Sequence, residues 1–178
     1  TYPVDIFYRP YLEENIEINQ RIVDCIKEIC SLRIGGDILV FLSGEREIRE
    51  ASRVLTKAFQ FNFEVIPLYA RLTLSEQDRI FLPHKHRRIV LATNVAETSI
   101  TVPGITFVID AGKARISRYS YRSKVQRLQV ERVSRASAEQ RAGRCGRVSA
   151  GICYRLYSEQ DLEGRPEFTD PEILRTNL

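Results

Sequence analysis

The chain of 178 residues contains no methionine and no tryptophan, only two histidines, and four cysteines at positions 25, 30, 145 and 153. Sulfur and imidazole ligands so few and so irregularly spaced exclude a disulfide scaffold and a zinc site, and we expect no metal site in this chain. The cysteines are expected to be small buried or half-buried thiols in a reducing cytosol.

Long apolar runs are missing as well. No stretch approaches the roughly 20 apolar residues of a membrane span, and the first residues do not resemble a signal peptide. We therefore expect a cytoplasmic protein that does not contact a membrane. Since even position 1 is not methionine, the chain is expected to be a piece of a longer protein.

Positive charge is concentrated in one part of the chain. Positions 111–151 hold eleven Lys or Arg residues and two acidic residues, whereas the remainder holds 16 basic and 21 acidic residues. A basic lobe on an otherwise acidic domain indicates a polyanion as partner. A solvated basic face without a ligand is the alternative.

The hydrophobic pattern alternates between strands and helices. The predicted strands are 4–9, 37–42, 64–69, 88–93, 105–110 and 152–157, and the predicted helices are 15–32, 45–60, 75–81 and 138–147. The helix at 75–81 is expected to open with a serine cap at Ser75. This alternation predicts an α/β, doubly wound domain with a mainly parallel sheet. Its ligands should gather where strands end, after positions 42, 69, 93 and 110.

Segment 114–134 breaks the alternation because it is polar, rich in Arg and Tyr and partly of period two. It predicts a β-hairpin that projects from the sheet. A stiff two-stranded wedge of this composition can bind phosphates and stack on a base, while a solvated edge hairpin is the alternative. Residues 1–162 are predicted to form one domain, and residues 163–178, with two prolines, to lead into another.

The strongest motif is SAEQRAGRCGR at positions 137–147. Arg141, Arg144 and Arg147 recur every three residues, which on one helix would place them on neighbouring positions of one face. The glycines before the second and third arginines let a ligand or another chain approach the backbone. Because a guanidinium offers a planar fork that matches phosphate oxygens, the set predicts an anion site. Pairing with carboxylates of the domain itself is the alternative.

Several segments together resemble the DEAH-box RNA helicases of superfamily 2. Segment 140–147 resembles motif VI, 93–101 (TNVAETSIT) motif V, 39–48 (LVFLSGEREI) motif IV, and 68–81 the motif that follows it, while 171–178 resembles the entry to a winged-helix domain. The motifs stand in the family's order and cover essentially the whole chain. A Gly-x-x-x-x-Gly-Lys-Ser/Thr loop and an Asp-Glu-x-His tetrad are absent, so the resemblance is to the second RecA-like domain alone.

The resemblance implies roles in the ATP site. Gln140 would hold the attacking water or the γ-phosphate, and Arg144 and Arg147 would be arginine fingers. The residues expected to bind nucleotide are Phe81, through stacking on the base, Thr98, Ser99 and Arg141. Arg141 matches a position that is usually tied to motif V, so we expect it to act as a linking residue. Helix packing is the alternative for Phe81, and a cap or turn hydrogen bond is the alternative for the hydroxyls.

The resemblance also implies contacts with the RNA backbone that do not read bases. The residues expected to make them are Ser43, Gly44, Arg71, Thr101, Arg118, Arg122 and Lys124. The implied function is the second motor domain of an ATP-dependent 3′-to-5′ RNA helicase that uses ATP and Mg²⁺, the magnesium being held by the missing first RecA-like domain. The implied partners are RNA and the first RecA-like and winged-helix domains of the same chain. The fragment is expected to be inactive alone. An RNA-binding module without catalysis and a related motor acting on DNA remain alternatives.

Overall fold

A computed structural model describes residues 1–10, 17–120 and 122–169, with side chains omitted at positions 118–120. Most of its strands form one parallel sheet of six, in the order β1-β8-β5-β2-β4-β3. Their bounds are β1 Val4–Tyr8, β2 Asp37–Phe41, β3 Phe63–Leu68, β4 Arg87–Ala92, β5 Ile105–Asp110 and β8 Gly151–Arg155. The helices are α1 Ile18–Ser31, α2 Glu45–Phe59, α3 Leu74–Asp78, α4 Arg135–Ala142 and α5 Glu159–Glu163. The doubly wound α/β prediction is confirmed.

The two faces of this sheet are covered in different ways. Helices α1 and α2 pack on one face through apolar stripes that include Ile22, Ile26 and Leu55. The other face is covered by short elements: α3 with the 3₁₀ turn Arg79–Phe81, the turn Asn94–Ala96 after β4, and α4 with the turn Gly143–Cys145. Strand β2 is buried along its whole length, as its continuous apolar run predicts. Because short elements bury few side chains, some of their polar residues, such as Gln140, remain exposed on the second face.

The predicted hairpin is confirmed and forms a sheet of its own. Strands β6 (Lys113–Ser120) and β7 (Val125–Arg132) pair antiparallel, with Lys113 opposite Arg132 and Ser120 opposite Val125. Within the described residues neither strand joins the six-stranded sheet. The hairpin therefore projects from the domain between β5 and α4.

Two predictions about short helices are wrong. Helix α3 follows Thr73, whose hydroxyl accepts a hydrogen bond from the Glu76 backbone N–H while the Glu76 carboxylate accepts from the Thr73 backbone N–H. This capping box replaces the predicted cap at Ser75. Helix α4 is capped by Ser134, so it begins three residues before the predicted start, and it ends at Ala142. Arg144 therefore lies in a 3₁₀ turn and Arg147 beyond it, so the motif arginines do not share one helical face.

Three of the four cysteines, Cys25, Cys145 and Cys153, are buried as predicted, whereas Cys30 is exposed on α1. Burial raises the pKa of Cys145 to about 12, so this thiol stays protonated at neutral pH. No helix in the described part of the chain is long and apolar enough to cross a membrane. Segment 171–178, which resembles the entry to a winged-helix domain, lies outside the described residues.

Candidate nucleotide and nucleic-acid site

Arg141 lies at the centre of a buried ion-pair network. Its side chain has no exposed surface, and its guanidinium donates to Glu97 at 2.7 Å, to Asp110 at 2.8 Å and to the Lys113 carbonyl at 3.2 Å. Burial acts to lower the pKa of Arg141, but the charges of Asp110 and Glu97 outweigh it and raise that pKa. Carboxylates of the domain thus compensate this charge, which was the alternative left open by the sequence. The geometry fits a linking residue, and a direct contact with nucleotide stays a prediction.

Glu97 joins the loop after β4 to helix α4. Besides Arg141, it accepts a hydrogen bond from the Ser137 hydroxyl at 2.6 Å. Its carboxylate is the partner that the basic motif requires, yet no sequence pattern identified Glu97 as that partner. The available signal was that Glu97 is the one acidic residue in the motif V sequence.

Asp110 was also missed, although chemistry was expected just after it. One carboxylate oxygen accepts from Arg141 and from the Gly112 backbone N–H at 2.7 Å, and the other accepts from the Tyr157 hydroxyl at 3.1 Å. An aspartate that closes an otherwise apolar strand was the signal. Because such a residue is buried at the end of the strand, its charge needs partners.

Arg144 and Arg147 differ from Arg141 in having no ion-pair partner among the described residues. Arg144 is partly buried, and its Nε donates to the Gln140 carbonyl at 3.2 Å, while Arg147 is exposed. Partial burial lowers the pKa of Arg144, and the neighbouring charge of Arg147 lowers it further. Two adjacent cations without a carboxylate form a site that an anion would stabilise. The side chain of Gln140 is exposed on α4 beside them.

The two motif glycines have different surroundings. The space where Gly143 would carry a Cβ atom is open, whereas at Gly146 such an atom would lie 2.6 Å from Val4 Cγ2. The Tyr2 backbone N–H donates to the Gly146 carbonyl at 2.7 Å. The close approach predicted from the glycines is therefore made at Gly146 by the first residues of the chain itself.

The remaining candidate nucleotide residues are exposed on the same face of the sheet as Arg144. Phe81 keeps 55% of its surface exposed, because its neighbour Ile80 makes the packing contacts of that turn. Thr98 and Ser99 are exposed and form no hydrogen bond to another described residue. These side chains are thus available to a ligand, and their contacts with nucleotide stay predictions.

Candidates for RNA contact cluster at the carboxyl edge of the sheet. The Arg115 backbone N–H, at the base of the hairpin, donates to the Ser43 carbonyl at 3.2 Å, and Arg71, which is 85% exposed, lies 3.6 Å from the Glu45 carboxylate. Gly44 is buried, because the Arg115 side chain lies over it. A backbone contact at Gly44 therefore requires this side chain to move aside.

Other RNA candidates lie on the motif V loop and the hairpin. Thr101 is exposed, and so are Arg122 and Lys124 at the hairpin turn, where Lys124 has a φ of +51°. Arg118 stands opposite Arg127 in the strand register, and its side chain is outside the described residues. Strand β7 also exposes apolar side chains that the sequence analysis did not consider. They are Val125, Leu128 and Val130.

This fold and its basic open face define a RecA-like domain of a helicase. The family described as the helicase conserved C-terminal domain matches residues 20–149, and the chain belongs to that family. It is similar to the second RecA-like domain of DEAH-box helicases, as the motifs indicated.

Particular relatives extend the similarity over the whole chain. It is 63% identical over 182 residues to "ATP-dependent RNA helicase HrpA" of Escherichia coli (strain K12), covering all of this chain and 14% of HrpA. It is 40% identical over 189 residues to "Probable ATP-dependent RNA helicase DHX35" of Homo sapiens, covering all of this chain and 26% of that protein. The crystal structure of the E. coli DExH-box NTPase HrpB matches with a TM-score of 0.89 at 35% identity, over 98% of this chain and 22% of HrpB. The chain thus spans between 14% and 26% of the length of these proteins.

Proposed function

We propose that this chain is the second motor domain of an ATP-dependent 3′-to-5′ RNA helicase. The observation that carries the proposal is the contrast among the motif arginines: Arg141 is satisfied by two carboxylates, whereas Arg144 and Arg147 have no ion pair among the described residues. Free guanidiniums on an open face are suited to phosphates supplied from outside the domain. The relatives named as ATP-dependent RNA helicases support this assignment.

In this proposal the chain supplies one half of a shared ATP site. Arg144 and Arg147 stabilise the charge that develops on the γ-phosphoryl oxygens, and Gln140 positions the attacking water. The exposed ring of Phe81 stacks on the base, and the hydroxyls of Thr98 and Ser99 donate to the nucleotide. Since Glu97 binds both Arg141 and Ser137, the motif V loop and α4 keep a fixed relative position.

The other half of the site belongs to a preceding RecA-like domain. The phosphate-binding loop is absent from this sequence, and the described residues contain no group of three His, Cys, Asp or Glu side chains suited to a metal ion. The residues here do not fit Mg²⁺, so we assign its ligands to the preceding domain and no step of this chain depends on it. A fragment without that domain is expected to be inactive.

The RNA track is proposed along the carboxyl edge of the sheet and the hairpin. Ser43, Gly44, Arg71 and Thr101 contact phosphates of a single strand, and the hairpin cations Arg118, Arg122 and Lys124 meet the duplex junction. A winged-helix domain is proposed to follow. A cytoplasmic location is part of the proposal because all four cysteines are free thiols.

The test joins this chain to a first RecA-like domain from an HrpA relative and measures phosphate release with and without single-stranded RNA. We expect RNA-stimulated turnover that is lost in Arg144→Ala and retained in Arg53→Ala, an exposed arginine on α2. RNA binding without any turnover would identify an RNA-binding module instead. Equal stimulation by single-stranded DNA would contradict the RNA assignment.

A further inference from the structure

The hairpin is held by a small set of contacts at its base. In the described part of the chain its strands form ladder pairs only with each other, and one backbone hydrogen bond, from the Arg115 N–H to the Ser43 carbonyl, joins β6 to the loop after β2. The chain enters at Gly112 and leaves at Val133, and the Val133 N–H donates to the Gly112 carbonyl at 2.9 Å. Gly112 has a φ of +77°, and a Cβ atom there would lie 2.6 Å from the Tyr157 ring. The direction of the hairpin therefore depends on what binds this closely packed base.

Arg165 binds both ends of the base. Its side chain is only 2% exposed, and its Nη1 donates to the Gly112 carbonyl at 2.7 Å and to the Val133 carbonyl at 3.1 Å. Its Nε donates to Asp161 at 2.9 Å, and its guanidinium carbon lies 4.0 Å from the centre of the Tyr157 ring. A rigid guanidinium held on three sides fixes the two carbonyls relative to each other.

A second guanidinium binds the next carbonyl along the chain. Arg141 donates to the Lys113 carbonyl, so two buried arginines hold consecutive residues at the start of β6. Asp110 connects them, since it accepts from Arg141 and from the hydroxyl of Tyr157, and Arg165 is stacked on the ring of Tyr157. The hairpin base thus lies between the motif VI helix and the segment that leaves the domain.

That segment is itself bonded to the start of α4. The Arg135 N–H donates to the Pro166 carbonyl, and the Ala136 N–H donates to the Glu167 carbonyl, both at 2.9 Å. The segment around Arg165 thus contacts both the hairpin base and the start of α4. The hydrogen bonds of Arg165 itself go to Asp161, Gly112 and Val133, and none of these is a candidate nucleotide residue.

We infer that Arg165 is a positioning residue for strand separation, which fixes the direction of the hairpin relative to motif VI and to the segment leaving the domain. The inference deepens the proposed function, because it presupposes that the hairpin separates strands. Arg165 touches neither nucleotide nor RNA in this role. Its loss should therefore uncouple unwinding from ATP turnover and leave turnover itself intact.

The experiment uses the full-length helicase and three variants. Arg165→Gln removes the guanidinium that donates to the Gly112 and Val133 carbonyls, and Arg165→Lys keeps one charged donor. Arg132→Gln is the matched control, because Arg132 pairs with the same Asp161 at 3.3 Å from an exposed position and bonds neither end of the base. Duplex strands separated per ATP hydrolysed, and hydrogen exchange of the peptide that contains Val133, are measured for each.

We expect Arg165→Gln to lower strands separated per ATP by about 10-fold, with RNA-stimulated turnover within about twofold of wild type. Exchange at Val133 should be faster than in wild type. Arg165→Lys should recover part of both effects, and Arg132→Gln should show neither. Should Arg165→Gln fail to fold, Asp161→Asn, which weakens the contact that orients the Arg165 guanidinium, should shift both readouts in the same direction.

Unchanged Val133 exchange in Arg165→Gln, or equal losses of turnover and unwinding, would overturn the inference. A wild-type protein without RNA-stimulated turnover would overturn the proposed function instead. In that case the exchange data still decide whether Arg165 holds the hairpin base.

Discussion

The guanidinium of Arg141 and the carboxylate of Asp110 form an ion pair of 2.8 Å in which neither side chain has any exposed surface. Removing one partner of such a pair leaves the other as a buried charge without compensation. We therefore expect Arg141→Ala to lower the free energy of unfolding by about 3–5 kcal/mol. Urea denaturation of the 178-residue chain measures this.

Arg144→Ala is the control for Arg141→Ala, because it removes a partly exposed arginine three positions further along the same motif. We expect its effect on the free energy of unfolding to stay within about 0.5 kcal/mol. Equal destabilisation by the two substitutions would show that Arg144 also stabilises the folded domain.

The second prediction concerns turnover in the complete motor. Arg144→Ala or Arg147→Ala should slow ATP hydrolysis by roughly 10³-fold or more, because each removes charge stabilisation that is strongest in the transition state. Nucleotide binding should weaken far less. Lysine should rescue poorly, since one ammonium does not reproduce the guanidinium fork. Steady-state phosphate release and equilibrium binding of labelled nucleotide separate the two effects.

Arg135→Ala is the control for bulk electrostatics in that experiment. Arg135 is an exposed cation at the start of α4, close in sequence to the proposed fingers Arg144 and Arg147. If its loss slows hydrolysis as much as the loss of Arg144, the basic residues of positions 111–151 act on the nucleotide through their summed charge. The assignment of Arg144 and Arg147 as fingers is then wrong.

The third prediction concerns the hairpin. Reversing the charges of Arg118, Arg122 and Lys124 to glutamate should reduce duplex unwinding more than RNA-stimulated ATP turnover, because these residues lie on the hairpin, to which no candidate nucleotide residue belongs. The matched control reverses Arg46, Arg53 and Lys57, which are exposed on α2. Equal losses in both activities would place the hairpin on the path that couples ATP to RNA.

The fourth prediction is a pH dependence at the hairpin base. Partial burial acts to raise the pKa of Asp161, but the hydrogen bond and charge of Arg165, with a smaller contribution from Arg132, lower it overall. Since the folded pKa lies below the unfolded value of about 3.9, the ionised carboxylate contributes stability above that value and loses it as the pH falls through the folded pKa.

Asp161→Asn should therefore be less stable than wild type at pH 7, by about 1 kcal/mol because the carboxylate is partly exposed. The difference should shrink as the pH falls below about 4. Thermal denaturation at several pH values measures it, with Glu163→Gln on the same helix as a control that should show no such trend. A difference that grows in acid would contradict the sign of the shift.

The fifth prediction is weak, salt-sensitive RNA binding by the isolated chain. Eleven basic residues lie within positions 111–151, and neutralising phosphates releases counterions, so affinity should fall steeply with salt and depend little on sequence. Fluorescence anisotropy of a labelled single strand at two salt concentrations measures this. RNA binding whose affinity does not change with salt would show that the basic residues of positions 111–151 are not responsible for it.

The regular part of the fold could be predicted because periodicity and burial agree there. Strand β5 was predicted with the bounds Ile105–Asp110 that it has, since an apolar run closed by an aspartate leaves little choice. Helix α4 was predicted less well, because its cap at Ser134 lies directly behind the hairpin and its 3₁₀ turn is favoured by Gly143. Short helices depend on single hydrogen bonds that composition does not reveal.

The candidate site could be predicted only in part, because residues of the same type lie in different environments. The motif showed three arginines, yet Arg141 is enclosed by carboxylates and Arg147 is exposed. The distinction depends on Glu97 and Asp110, which lie 44 and 31 positions away along the chain. Long-range pairing of this kind is decided by the packing of the sheet, which a local pattern does not contain.

The hydrogen bond between the Val133 N–H and the Gly112 carbonyl holds the two ends of the hairpin next to each other, so the hairpin leaves the domain and returns to it at one point. A loop with adjacent ends can be lengthened, shortened or exchanged without moving the flanking elements. The six-stranded sheet and the ion-pair network of Arg141 therefore place few requirements on the length and sequence of the outer part of the hairpin. Under the proposed function, the roughly twenty residues of β6, β7 and their turn could be replaced to suit a different duplex while the proposed ATP site keeps its sequence.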